Sequence, residues 1–193
     1  MAGPQDAFDA VAAGDADRLR AILRDEPRVA AARDEADVSL VRRARYAMRD
    51  DLVEIVLAAG PELDVHDAAA VGDADRLNAL VGSDPELARA LASDGFAPVH
   101  LAAFFRQPHA VRLLLDRGAD ADVAAANDSR VTPLHSAAAS GDRDCMRLLL
   151  EAGADPNSQQ RGGFVPLDAA GAAGDREMAE LLLAHGAEPV AEG

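Results

Sequence analysis

The chain has 193 residues, of which 34 are acidic and 19 basic, and its net charge of −15 disfavours phosphate backbones, which need clustered cations, while favouring solubility and basic partners. A single cysteine excludes an intramolecular disulfide and fits a reducing compartment. No uninterrupted apolar run of about 18 residues is present to cross a membrane, and Met1 to Ala10, with Pro4, Asp6 and Asp9, lacks the cationic and apolar regions of a signal peptide.

Taken from the N-terminus, the chain reads as pairs of short helices. The first pair places Phe8 six residues before Gly14-Asp15. A weaker pair surrounds Val38-Ser39-Leu40-Val41, with Val41 as its reference position, and closes at Gly60. The third places His66 six residues before Gly72-Asp73. In the fourth, Gly95-Phe96-Ala97-Pro98-Val99-His100 opens an Ala-rich run through Phe105, and Gly118 closes the second helix. The fifth is the fullest: Thr132-Pro133-Leu134-His135, then Gly141-Asp142, then Met146, Leu149 and Leu150 at helical spacing, then Gly153. The sixth repeats it with Pro166-Leu167-Asp168, Gly174-Asp175, Met178, Leu181, Leu182 and Gly186.

The punctuation has a physical basis. Proline at the first helical position fixes φ and has no N–H to leave unpaired. Glycine takes the left-handed conformation that ends a helix, and the aspartate after it caps the next one. His100 lies 35 residues before His135, and Asp168 lies 33 after it. A period near 33 means small units that stack on their neighbours. Alanine and leucine supply most of the apolar residues, and aromatics are only 3% of the chain, which suits closely approaching helices rather than a deep core.

On the Thr-Pro-Leu-His motif, the period and the Gly-Ala-Asp after the second helix, the chain resembles ankyrin-repeat proteins over residues 6 to 188. The resemblance implies an all-α ankyrin-repeat solenoid of stacked helix–turn–helix units with protruding loops. One domain over 1-193 is expected, with repeats at about 6-35, 36-62, 63-91, 92-126, 127-159 and 160-193, the first and last as caps. It further implies protein binding, no catalysis, no cofactor and no metal. His66, His100 and His135 occupy the family's structural histidine, which bonds loop backbone. Stacked helix pairs are too far apart for these histidines to share a zinc ion.

The other chemistry-bearing residues point the same way. No nucleophile–base pair stands out near Ser136 or Ser140, and no phosphate loop or zinc-protease motif occurs. Cys145 reads as a packed thiol. His109 and His185 are expected at the surface, His185 facing a helix C-terminus.

Family members bind through loop tips and the exposed face of the first helices, at positions one, four and five after the reference. That map yields the expected partner-binding residues: Arg42, Arg45 and Tyr46 in the second unit, Val71 in the third, Leu101, Phe104, Phe105 and Arg106 in the fourth, and Arg130 and Ser140 in the fifth. Phe104 and Phe105, both at nominally exposed positions, either anchor an interface with Arg106 or fill gaps left by the small alanines of the neighbouring units. Arg106 and Arg130 stand where the family has glycine; Arg106 requires a strained left-handed turn or a reshaped one, and Pro108 favours reshaping. Arg42, Arg45 and Arg49 share a helix face, either as an anion contact beside Tyr46 or paired internally with Asp50 and Asp51. The expected partner is an unknown protein bound by a cytoplasmic monomer, with no nucleic acid and no membrane. Arginine as the sole cation points to a GC-rich bacterial source. A dedicated inhibitor or immunity-type regulator of a single enzyme is the alternative function; an orphan enzyme would declare itself by a bound cofactor.

Overall fold

A computed structural model describes residues 3–189. Met1 and Ala2 of the N-terminal reading, and residues 190–193 of the expected sixth repeat, lie outside the described residues. Twelve α-helices account for the regular structure among them, with one isolated antiparallel bridge between Arg33 and Ser39. The chain divides into two compact units, Met1–Asp67 and Ala68–Gly193.

In the N-terminal unit, α1 (Pro4–Ala13) and α2 (Ala16–Asp25) form one hairpin, and α3 (Leu40–Tyr46) and α4 (Asp50–Ala58) the next. α1 packs on α3 and α2 on α4, so the two hairpins stack in parallel. Leu19, Leu40, Leu52 and Val56 are fully buried between them. A 3₁₀ turn, Pro27–Ala31, replaces the glycine stop after α2. The unit ends in the first residues of α5 (Val65–Val71).

The C-terminal unit holds the rest of α5, then α6 (Ala74–Ser83), α7 (Pro98–Phe104) with α8 (Pro108–Asp116), α9 (Pro133–Ser140) with α10 (Arg143–Glu151), and α11 (Pro166–Ala173) with α12 (Arg176–Ala184). A second 3₁₀ turn, Pro85–Arg89, follows α6. α7, α9 and α11 stack in sequence on one side, with α6, α8 and α10 on the other. Leu77, Leu114, Leu134, Met146, Leu149, Met178 and Leu182 fill the space between the layers.

The predicted punctuation is present atom by atom. Asp15, Asp73, Asp142 and Asp175 cap α2, α6, α10 and α12 by accepting from the backbone N–H of Arg18, Arg76, Cys145 and Met178. Each such bond satisfies one of the donors a helix leaves open at its start. Pro98, Pro133 and Pro166 each occupy the first turn of their helix.

The backbone turns left-handed at recurring places. Taking Phe8, Arg42, His66, His100, His135 and Asp168 as equivalent, φ is positive six residues later at Gly14, Met48, Gly72, Arg106, Gly141 and Gly174. It is positive again eighteen residues later at Gly60, Gly118, Gly153 and Gly186, and five residues earlier at Asp37, Gly95, Arg130 and Gly163. Only Gly162 falls outside this scheme among the described residues. At Gly14 and Gly72 the left-handed residue also lies against a side chain of the next hairpin. A Cβ added to Gly14 would collide with Arg49 Nη1, and one added to Gly72 would collide with Gln107 Oε1.

This scheme corrects the reading of the second helix pair, whose reference position is Arg42 and not Val41. Ser39 caps α3 through the Arg42 N–H, as Thr132 begins α9, and Arg42 is the third helical residue. The surface positions therefore move by one, to Arg43, Tyr46 and Ala47. The first pair is also offset at its start. α1 begins two residues early, and Asp6, not Phe8, accepts the cap N–H, from Gly3 at 2.8 Å.

Candidate partner-binding surface

Histidine fastens the first helices of the C-terminal unit, as the resemblance implies. His100 Nδ1 accepts from the Ala97 N–H at 3.2 Å, and its Nε2–H donates to the Val131 carbonyl of the following loop at 3.0 Å. His135 does the same with the Thr132 N–H and the Phe164 carbonyl, at 3.2 and 3.1 Å. Both rings are therefore neutral Nε2–H tautomers, and burial, the largest influence on each, pulls their pKa below the ordinary value. Asp168 keeps half of the pattern by accepting from the Val165 N–H.

In the second hairpin the equivalent side chain is Arg42, which is 1% exposed. It does not contact an anion from outside. Its Nε donates to Asp67 Oδ1 at 2.9 Å, and Asp67, 2% exposed, also accepts from the Ser39 hydroxyl at 2.6 Å. Asp64 lies 3.9 Å from Arg42 and 2.6 Å from Arg33. An arginine cannot shed its proton when buried, so this cation demands a fixed counter-charge. Burial, then the neighbouring Asp64, push the Asp67 carboxyl up. Burial would raise Asp64 too, but the Asp67 N–H and Arg33 hold it below the usual range.

The rest of the basic stretch is likewise matched from within. Arg43 bonds Asp34, Arg45 bonds Asp50 at 2.7 Å, and Arg49 bonds Asp51 at 2.8 Å. The geometry thus supports internal pairing over an anion site on Arg42, Arg45 and Arg49. Tyr46 and Arg45 are half-buried on α3 and its end.

Five expected contact residues of the C-terminal unit are wholly or partly exposed. Phe104 is half-buried at the end of α7, Arg106 is exposed, and Arg130 is exposed at a loop tip. Val71 and Ser140 are half-buried at the ends of α5 and α9. Leu101 and Phe105 are not surface residues: their side chains are 2% and 4% exposed. The position directly after the reference points inward here, as Ser136 does in α9. Phe105 turns into the unit and meets Phe104 edge-on, ring centroids 5.1 Å apart, so one aromatic supports the other.

Arg106 takes the left-handed conformation outright, φ 59°, with Pro108 starting α8 two residues later; the turn is kept and not reshaped. Its guanidinium donates to the Ser140 carbonyl at the end of α9, where a helix accumulates negative partial charge. The Ser140 hydroxyl is spent on the carbonyls of Ala103 and Ala137 at 3.1 and 2.9 Å. Arg106 and Ser140 are thereby held together beside the end of α7, where Phe104 lies.

Among the described residues the remaining titratable groups do not gather into a metal-binding cluster. Burial, then Asp142, push the Cys145 thiol up, away from the reactive thiolate. His185 is exposed and bonds the Leu181 carbonyl at the end of α12 through Nδ1. No described helix is long and apolar enough to cross a membrane.

Parallel-stacked helical hairpins and histidine-fastened loops define a helical repeat protein. Residues 65–160, about half of the chain, match the family model for ankyrin repeats in three copies. The chain is an ankyrin-repeat protein. It is similar to two rice proteins (Oryza sativa subsp. japonica), the E3 ubiquitin-protein ligase XB3, 42% identical over 83 residues, and the probable E3 ubiquitin-protein ligase XBOS31, 40% identical over 82 residues. Each match covers 42% of this chain and 18% of the relative, so the chain spans under a fifth of the length of these proteins. Ankyrin repeats are protein-interaction modules, and the family is generally non-catalytic.

Proposed function

We propose that the chain is a non-catalytic binding protein whose partner docks on the face carrying Phe104, Arg106 and Ser140, with Val71 and the loop tip at Arg130 on the same unit. The observation that carries this reading is Phe104: a large aromatic left half-exposed on a first helix, propped by Phe105 and bordered by an exposed arginine. Aromatic and arginine side chains held in one conformation lose little entropy on binding, which is what anchors an interface. The proposal leaves out the arginines on α3, which pair with acids of their own unit.

Six repeats with end caps, a monomer in the cytoplasm, and a partner that is neither nucleic acid nor membrane belong to the same proposal. Ligase activity is not carried over from the rice relatives, since under a fifth of their length is shared. The test is capture from source-cell lysate with the parent chain and with Phe104→Ser/Arg106→Glu, circular dichroism confirming the fold of both. Loss of a captured partner supports the reading; retention of every partner by the folded variant overturns it.

A further inference from the structure

We propose that a groove of the N-terminal unit, bounded by α1, the loop tip at 34–36 and the end of α3, receives a cationic segment of a partner protein that also carries aliphatic side chains. The proposal rests on the protein-binding reading only in taking the occupant to be a protein. It concerns a surface other than the Phe104 face.

The groove is an open depression of about 690 Å³. Its floor is the edge of Phe8 and the exposed methyl groups of Ala12 and Ala47. Small side chains on the floor leave an apolar surface that only an incoming side chain can cover. Met48, the residue after Ala47, is 68% exposed and carries a flexible thioether.

Charge selects the occupant. Arg43, the lining cation, is already held by Asp34, whose other oxygen accepts the Ala36 and Val38 N–H groups. That pair is neutral as a unit, so the net charge of the rim is set by Asp9 and Glu35. Asp9 accepts only from the neutral amide of Gln5, and Glu35 is exposed at the loop tip. Among the described residues neither has an arginine within ion-pairing distance. The groove therefore presents two uncompensated negative charges around an apolar floor, and it repels acidic peptides, nucleic acid and anionic lipid alike.

The test uses the full chain and a short fluorescein-labelled peptide of alternating arginine and leucine, read by polarisation. Reversal of both rim charges, Asp9→Arg/Glu35→Arg, is expected to weaken binding by about tenfold or more. The gentler pair Asp9→Asn/Glu35→Gln, at two exposed positions, should weaken it by a smaller factor with the fold unchanged. Reversal of two acids on the other unit, Asp116→Arg/Glu151→Arg, should leave binding within about twofold. Equal losses from the two reversals would reduce the effect to general charge attraction and overturn the proposal. So would equal binding of an alternating glutamate and leucine peptide, or no binding of the arginine peptide. A chain that fails here yet still captures a Phe104-dependent partner refutes the groove alone and leaves the protein-binding reading standing.

Discussion

Removing one partner of the buried Arg42–Asp67 pair should be among the most damaging single changes in the chain. Both side chains are at most 2% exposed, and the Nε–Oδ1 distance is 2.9 Å. At the surface such a pair contributes about 0.2–1 kcal/mol. Buried, the loss of one member strands the other's charge and costs about 3–5 kcal/mol. Arg42→Met and Asp67→Leu should each destabilise by that amount. The double variant should cost much less than the sum, because it leaves neither charge behind. Urea denaturation followed by far-UV circular dichroism measures all four corners of the cycle. A coupling energy of about 2 kcal/mol or more is expected. Additive losses within about 0.5 kcal/mol would refute the argument that each charge is there to neutralise the other.

Left-handed residues give a second prediction. Met48 holds φ 54° with its side chain 68% exposed, so Met48→Gly should stabilise by roughly 1 kcal/mol, read as a higher urea midpoint. Arg106→Gly relieves the same strain but removes the bond to the Ser140 carbonyl, and its midpoint should move less. For the two aromatics, Phe105→Ala is expected to cost about 3–5 kcal/mol as a buried truncation, and Phe104→Ala clearly less. Acid should loosen the C-terminal unit. His100 and His135 have pKa values depressed below 6.5, so the stability they contribute is present above pH 6.5 and is lost as pH falls through their folded values. Each unit of depression corresponds to about 1.4 kcal/mol. Proton NMR should find both imidazoles titrating below 6.5, and a value at or above 6.5 for either would contradict a buried, neutral ring that accepts at Nδ1 and donates at Nε2.

Much of the architecture was legible because it rests on local chemistry. Asp142, Pro133 and His135 act within a few residues of themselves, so motif and spacing were enough to place them. Arg42 was misplaced because the second pair has no Thr-Pro-Leu-His to align on. The missing signal was present in Gly60, since counting eighteen residues back from it gives 42, as Gly153 gives His135. The surface was harder to read. Whether Phe105 faces out or in depends on how far the helix has rotated by its last residue, and α7 ends before it. Leu101 failed for the related reason that the position after the reference is covered in these hairpins. The internal pairing of the arginines needed partners such as Asp34 and Asp67, which lie 9 and 25 residues away in the chain and meet them only in the folded stack.

The contacts at Gly14 and Gly72 bear on how freely such hairpins could be exchanged. Each glycine leaves a notch that one particular neighbour enters, Arg49 at Gly14 and Gln107 at Gly72. Where Arg106 takes the glycine's place, its guanidinium instead reaches across to α9. A hairpin moved to another slot would bring a side chain without its notch, or leave a notch unfilled. The stacking order within each unit is thus written into its turns, and a shuffled chain made of the same hairpins should be less stable than this one.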